Sequence, residues 1–88
     1  MGEVAIKYRL MPNSPDVDTA AVISKIPSLL PSDASLGASE TKPFAFGLHA
    51  ILILVIGPDR EGLSNELENA LGSIDGIQSV EVEEMSLV

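Results

Sequence analysis

The sequence predicts an α+β fold in the order strand, helix, strand, strand, helix, strand. Three observations carry that expectation. Residues Glu3 to Met11 alternate between two faces, Leu48 to Ile56 are apolar on both faces apart from His49, and the apolar residues from Leu63 to Ile74 recur at helical spacing.

In the first strand Val4, Ile6, Tyr8 and Leu10 point one way, while Ala5, Lys7, Arg9 and Met11 point the other, so one face is buried. Pro12-Asn13-Ser14-Pro15 stops it, because proline has no amide to give a ladder and Asn and Ser favour turns. Asp16 or Asp18 is placed to cap a helix running to about Ile26, with acids in the first turn and Lys25 in the last. Val22, Ile26 and Leu29 or Leu30 form its inner stripe, helped by Ala21, and Pro27 and Pro31 mark its end.

Ser32 to Pro43 is the least decisive stretch. Within it Leu36 to Thr41 reads as a short edge strand, whose polar Ser39 and Glu40 discourage pairing with other chains. Phe44 to Ile56 is the strongest strand signal, and its two-sided apolar centre belongs in the middle of a sheet. Either Leu48/Ala50/Leu52/Leu54 or His49/Ile51/Ile53/Val55 faces away from the helices; spacing does not decide between them. Gly57-Pro58-Asp59 breaks the strand.

Gly62 to Ile74 reads as a second helix, with Leu63, Leu67, Ala70, Leu71 and Ile74 inward and Glu66, Glu68 and Asn69 outward. Gly72 and Gly76 suit its end and the following turn. The last strand, Ile77 to about Met85, buries Val80 and Val82 and exposes Glu81 and Glu83. Two right-handed βαβ units in this order give a ferredoxin-like sandwich, a four-stranded antiparallel sheet with both helices on one face. The other face then sets Lys7 and Arg9 beside Glu81 and Glu83 of the fourth strand, where cross-strand ion pairing is expected.

The 88 residues allow one domain, spanning 1–88, and an apolar content of 45% argues against disorder. With aromatics at 3%, its core is aliphatic. Thirteen acids against five cations give a net charge of −8, and the cations Lys7, Arg9, Lys25, Lys42 and Arg60 are scattered. Such a chain lacks the positive surface that releases counterions from phosphates, so no direct nucleic-acid partner is expected. Anionic membranes repel it, whereas the acidic surface either suits a basic protein partner or simply serves solubility.

There is no cysteine, so disulfide and thiolate chemistry are excluded. The N-terminal residues lack the apolar stretch of a signal peptide, and Ile6 stands where a myristoylation site needs Ser or Thr. Leu48 to Ile56 is too short to span a bilayer as a helix, which leaves the cytoplasm as the expected location.

Covalent chemistry finds no support. His49 is the only histidine, and no Cys/His cluster exists to hold zinc, so neither a metal nor a cofactor is expected. Gly57, Gly62, Gly72 and Gly76 are too dispersed for a phosphate-binding loop. An acylphosphatase of the same fold needs a glycine-rich cradle and an arginine after the first strand, where this chain has Pro12-Asn13-Ser14-Pro15-Asp16. Adjacent Glu83 and Glu84 face opposite ways along a strand and read as solvated. No catalytic residue is assigned.

The segment Ile56 to Leu63 resembles the strand-to-helix turn of amino-acid-sensing ACT domains. In those domains the turn follows the first strand, and here it follows the third. A ligand-sensing or assembly module is therefore the alternative rather than the first reading.

Three segments in register resemble a different family, archaeal elongation factor 1-beta. They are the joint Met11-Pro12-Asn13-Ser14-Pro15-Asp16-Val17-Asp18, the middle segment Lys42-Pro43-Phe44-Ala45-Phe46-Gly47-Leu48-His49-Ala50-Ile51, and the closing strand Gly76-Ile77-Gln78-Ser79-Val80-Glu81-Val82. The resemblance runs over nearly the whole chain. It implies a guanine-nucleotide exchange factor that docks on elongation factor 1-alpha, the GTPase that carries aminoacyl-tRNA to the ribosome. Such a factor disturbs the magnesium and phosphate site of its partner and forms no covalent bond, so it is not an enzyme in that sense.

The resemblance also implies partner-binding residues. Phe46 and Gly47 open strand three at one end of the sheet, and Met85, Leu87 and Val88 close strand four at the other. In eukaryotic relatives the aromatic matching Phe46 enters a pocket in the second domain of the GTPase, and the C-terminal end approaches the magnesium region. The plainer alternatives are a core or edge aromatic at Phe46 and a simple bend at Gly47. Eukaryotic members carry a lysine next to the C-terminal residue, and the position aligned with it is Leu87. Displacement of magnesium is therefore expected to be steric, by Met85-Ser86-Leu87-Val88 or through the switch loops.

Overall fold

The computed structural model describes residues 2–88. Its elements are β1 (Glu3–Pro12), α1 (Thr19–Leu29), β2 (Ser35–Pro43), β3 (His49–Pro58), α2 (Leu63–Gly72) and β4 (Ile77–Leu87). The strands form one sheet in the order β2-β3-β1-β4, every neighbouring pair antiparallel. This is the ferredoxin-like α+β arrangement expected from the sequence.

The alternation in β1 has the expected consequence. Val4, Ile6, Tyr8 and Leu10 are buried and join Val22, Ile26, Leu63, Leu67 and Leu71 of the helices in one aliphatic core. Register settles the question that spacing left open in β3. Ile6 lies opposite Val55, Tyr8 opposite Ile53 and Leu10 opposite Ile51, so Ile51, Ile53 and Val55 share the helix side. Ala50, Leu52 and Leu54 therefore lie on the open face, with Ala50 and Leu52 still buried.

Several boundaries differ from expectation. Helix α1 starts at Thr19, capped by the Asp18 carboxylate, which accepts from the Ala20 and Ala21 amides at 3.1 and 3.3 Å. Its first turn holds no acid, and it runs through Pro27 to Leu29. Pro27 gives no bond to the Ile23 carbonyl and its ring crowds that oxygen, and the helix ends two residues later. Ala21 and Leu29 are exposed, and the inner stripe is completed by Ile23 and Leu30. Strand β2 is longer than the edge strand read from Leu36 to Thr41, and it is bulged between Leu36 and Ala38. Strand β3 continues through Gly57 to Pro58, pairing with Val4 and Glu3.

Strand β4 also runs past Met85, to Leu87, and Val82 is 45% exposed rather than buried. β4 is one of the two edge strands, and core packing reaches Ile77 and Val80 but not Val82. Gly76 enters β4 with φ 94°, and its carbonyl accepts the Asn13 amide at 2.9 Å, tying the β1–α1 loop to the α2–β4 turn.

Two polar features accompany the core. The Tyr8 side chain is fully buried and, among the described residues, its hydroxyl has no hydrogen-bond partner. Burial, and secondarily the Glu68 charge, push its phenol up to about 12. Arg60, before α2, pairs with Glu66 and donates to both Asp33 oxygens at 2.8 and 3.3 Å, which holds the Asp33 carboxyl below its ordinary range. Among the described residues no helix is long and apolar enough to cross a membrane.

Candidate functional site

The turn between β2 and β3 is built by two backbone bonds. The Phe44 amide donates to the Leu48 carbonyl at 2.7 Å, and the Leu48 amide donates to the Ala45 carbonyl at 3.3 Å. Inside this loop Phe46 (φ 63°, ψ 29°) and Gly47 (φ 76°) are both left-handed. Glycine accepts that conformation freely, whereas an L-residue with a side chain incurs roughly 1–2 kcal/mol. Phe46 is nevertheless 94% exposed, so no burial of its ring offsets the cost.

Phe46 therefore does not open strand three; β3 begins at His49, and the residues from Phe44 to Leu48 form the turn. The reversal needs two consecutive left-handed residues, and extended pairing cannot pass through them. Gly47 sits at a bend. The core-or-edge reading of the Phe46 ring does not survive its exposure.

The C-terminal residues have a different geometry. Met85 lies opposite Ile6 and Leu87 opposite Val4, and the Val88 amide donates to the Glu3 carbonyl at 2.8 Å. Their backbone is thus held by the sheet, while the side chains of Met85, Leu87 and Val88 are 53%, 74% and 73% exposed. Register puts Met85 and Leu87 on the helix side of the edge strand, beyond the reach of the core.

These two clusters lie at opposite ends of the sheet. Phe46 precedes His49 at the start of β3, while Leu87 pairs with Val4, which in turn pairs with Gly57 near the end of β3. The length of β3 separates them by roughly 30 Å at about 3.3 Å per residue. The whole molecule measures 42 × 20 × 17 Å, so the clusters occupy the two ends of its long axis.

Between them the open face carries the expected ion pairing at Arg9 but not at Lys7, which a bulge in the β1–β4 register sets opposite Glu84 and which, among the described residues, makes no ion pair. Arg9 pairs with Glu81 and, at 3.3 Å, with Glu83. The Arg9 guanidinium also lies 5.9 Å from the centroid of the Phe44 ring. Phe44 is a residue that the sequence reading does not single out. In an extended reading it shares a face with Phe46, two residues on, and only the left-handed turn at Phe46 and Gly47 separates the two rings.

No grouped reactive chemistry accompanies this surface. Among the described residues no set of three or more His, Cys, Asp and Glu side chains is placed to hold a metal ion, and His49 stands exposed at the start of β3. Fold and surface together define a ferredoxin-like α+β protein whose prominent surface features are two clusters of exposed apolar side chains.

Comparison with known proteins narrows this further. The model of the family described as the EF-1 guanine nucleotide exchange domain matches residues 5–88. Elongation factor 1-beta of Archaeoglobus fulgidus is 39% identical over 88 residues, covering 100% of both chains. That of Halobacterium salinarum is 39% identical over 85 residues, 97% of each chain. That of Methanothermobacter thermautotrophicus is 37% identical over 82 residues, 93% of this chain and 92% of the relative. The chain therefore belongs to the EF-1 guanine nucleotide exchange domain family, a family of nucleotide-exchange factors of translation elongation. The segment from Ile56 to Leu63, which resembles the turn of ACT domains, runs from the end of β3 into the start of α2.

Proposed function

We propose that this chain, as one exchange domain spanning residues 1–88, promotes exchange of GDP for GTP on elongation factor 1-alpha in the cytoplasm. It does so by docking at two places. Phe46, presented by Gly47 and the β2–β3 turn, enters an apolar pocket on one domain of the GTPase. The tail Met85, Leu87 and Val88 presses against the magnesium and phosphate region of another. The protein contributes no covalent chemistry and no cofactor. The observation that carries this reading is the pair of exposed apolar clusters about 30 Å apart on a member of this family.

Leu87 cannot compete for phosphates or carboxylates as a lysine would, so the tail acts by occupying space. Pushing the switch loops aside, or crowding the magnesium ion, weakens GDP binding without any new charge. The net charge of −8 also favours encounter with a basic surface on the GTPase.

The direct test is release of labelled GDP from elongation factor 1-alpha by substoichiometric amounts of this protein. Accelerated release supports the proposal, and release at the intrinsic rate refutes it. Deleting the last four residues is expected to abolish the effect. Because Met85 to Leu87 also pair with β1, deletion removes part of the sheet ladder as well. Leu87→Ala with Val88→Ala is the cleaner variant, since both side chains are exposed and the backbone pairing stays. Unchanged exchange by that variant would remove the tail from the mechanism.

A further inference from the structure

The open face of the sheet holds an arrangement that two-point docking leaves unused. Arg9 extends from the inner strand β1 and engages both Glu81 and Glu83 of β4 on one side. On the other side its guanidinium approaches the Phe44 ring. Leu52 of β3 lies opposite Arg9 in register, and the Arg9 head group stands between the edge strand that carries the tail and the first aromatic of the turn that carries Phe46. Lys7, Ala50 and Leu52 line the groove it crosses.

Ordinary surface pairing does not account for this pose. Two exposed carboxylates attract any cation, and a solvated pair contributes little. Yet Arg9 Nε is buried and, among the described residues, has no hydrogen-bond partner. An orphaned donor is a cost that a side chain free to swing into water would avoid. The guanidinium carbon sits over the Phe44 ring, and a guanidinium brings to that contact a planar, weakly hydrated group that a lysine ammonium lacks.

The Phe44 ring has a particular place to be held. Phe44 opens the turn, and its amide makes the 2.7 Å bond to Leu48 that closes the loop around Phe46. Phe46 itself sits in a left-handed conformation that it would leave if the loop were free. We propose that Arg9 is a positioning residue for the exchange reaction: by clamping Phe44 against the Glu81–Glu83 segment, it keeps the strained turn closed and Phe46 pointing outward at a fixed distance from the tail. Arg9 touches neither the nucleotide nor, on this reading, the pocket that receives Phe46; it acts through Phe44. The inference rests on the docking reading above.

The test is GDP release from elongation factor 1-alpha measured against the concentration of four proteins: the parent, Arg9→Lys, Phe46→Ala and the double variant. Arg9→Lys keeps the charge for Glu81 and Glu83 but loses the planar face. It is expected to raise the half-saturating concentration about two- to fivefold, the scale of an exposed cation–aromatic contact, with the maximal rate unchanged. In the Phe46→Ala background the same substitution is expected to add nothing, because the tip it positions is gone. Phe44→Leu is expected to reproduce Arg9→Lys and to be non-additive with it. A general loss of stability would instead lower activity equally in both backgrounds. Equal effects of Arg9→Lys in the two backgrounds, or no effect in the parent, would overturn the role of Arg9 while leaving docking intact. A silent Phe46→Ala would sink the docking reading itself, and this inference with it.

Discussion

Replacing Phe46 by glycine and, separately, by alanine separates backbone strain from partner contact. The ring is 94% exposed, so its removal takes almost no apolar area out of the core, and at about 25 cal/mol per Å² the packing loss is negligible. The backbone at Phe46 has φ 63°, a conformation that costs an L-residue roughly 1–2 kcal/mol and glycine almost nothing. Alanine keeps that cost. Glycine relieves it but returns about 0.4–1 kcal/mol through the greater freedom of its unfolded chain. The glycine variant should therefore exceed the alanine variant in stability by about 0.5–1 kcal/mol, a few degrees in midpoint for a chain of this size. Exchange should move the opposite way. Losing a central aromatic anchor costs about 2 kcal/mol or more, on the order of a thirtyfold rise in the half-saturating concentration, in both variants.

Urea unfolding followed by circular dichroism gives the first quantity, and labelled-GDP release gives the second. A loss of about 2 kcal/mol in the alanine variant would mean that the ring packs after all. A glycine variant less stable than alanine would mean that Phe46 is not left-handed. Parental exchange by both variants would detach the ring from docking.

Other perturbations follow from the same geometry. Tyr8 is the only tyrosine and its phenol lies at about 12, against an ordinary 10.0, so its contribution to stability is full below pH 10.0 and is lost as pH rises toward 12. Phenolate absorbance should titrate near that raised value, and a midpoint near 10.0 would contradict its burial. Tyr8→Phe removes a buried hydroxyl without a partner and should stabilise by about 1 kcal/mol in urea unfolding, while abolishing the alkaline loss. The Asp33 carboxyl is depressed by its hydrogen bonds from Arg60, so its contribution is present above 3.8 and disappears as pH falls through the lower folded value. Asp33→Asn should flatten that acid limb in thermal melts, and an unchanged limb would mean that the clasp is idle. Gly76→Ala adds a methyl 3.2 Å from Val17 Cγ2 to a backbone at φ 94°, and should cost about 2 kcal/mol.

The parts of the fold that were legible in the sequence are those where one physical demand dominates. The alternation of β1 and the helical spacing from Leu63 to Leu71 each reflect a single buried face and emerge as read, although α2 closes at Gly72, so that Ile74 is buried from the turn beyond it and Ala70 only half-buried. The boundaries that moved are those where two demands compete. Pro27 is a helix breaker by its own chemistry, but the pull of Leu30 toward the core carries α1 past it. Val82 has the right phase for burial yet sits on an edge strand that the helices do not reach, and no one-dimensional pattern reports which strand is outermost. The residues from Phe44 to Gly47 looked like strand because phenylalanine favours strands, whereas the loop closure between Phe44 and Leu48 demands left-handed residues there. Phe46 and the tail were nameable only through a family resemblance. Their exposure, their separation and the Arg9–Phe44 contact are properties of the folded sheet alone.

Folding by itself does not explain where this chain leaves its large apolar side chains. The core closes on aliphatic residues of β1, β3 and the two helices without help from Phe46, Met85, Leu87 or Val88. Among the described residues, the large hydrophobics that are exposed fall mostly into two groups, Phe44 and Phe46 in the β2–β3 turn, and Val82, Met85, Leu87 and Val88 along the outer part of β4. Leu29, at the end of α1, stands apart. A selection for solubility alone would scatter such residues or replace them, and it would not hold a phenylalanine in a left-handed turn at a cost in stability. A partner that met only one end of the slab would leave the other group in water. A partner with two bodies set about 30 Å apart would cover both groups at once, which is the arrangement that the proposed two-point docking requires.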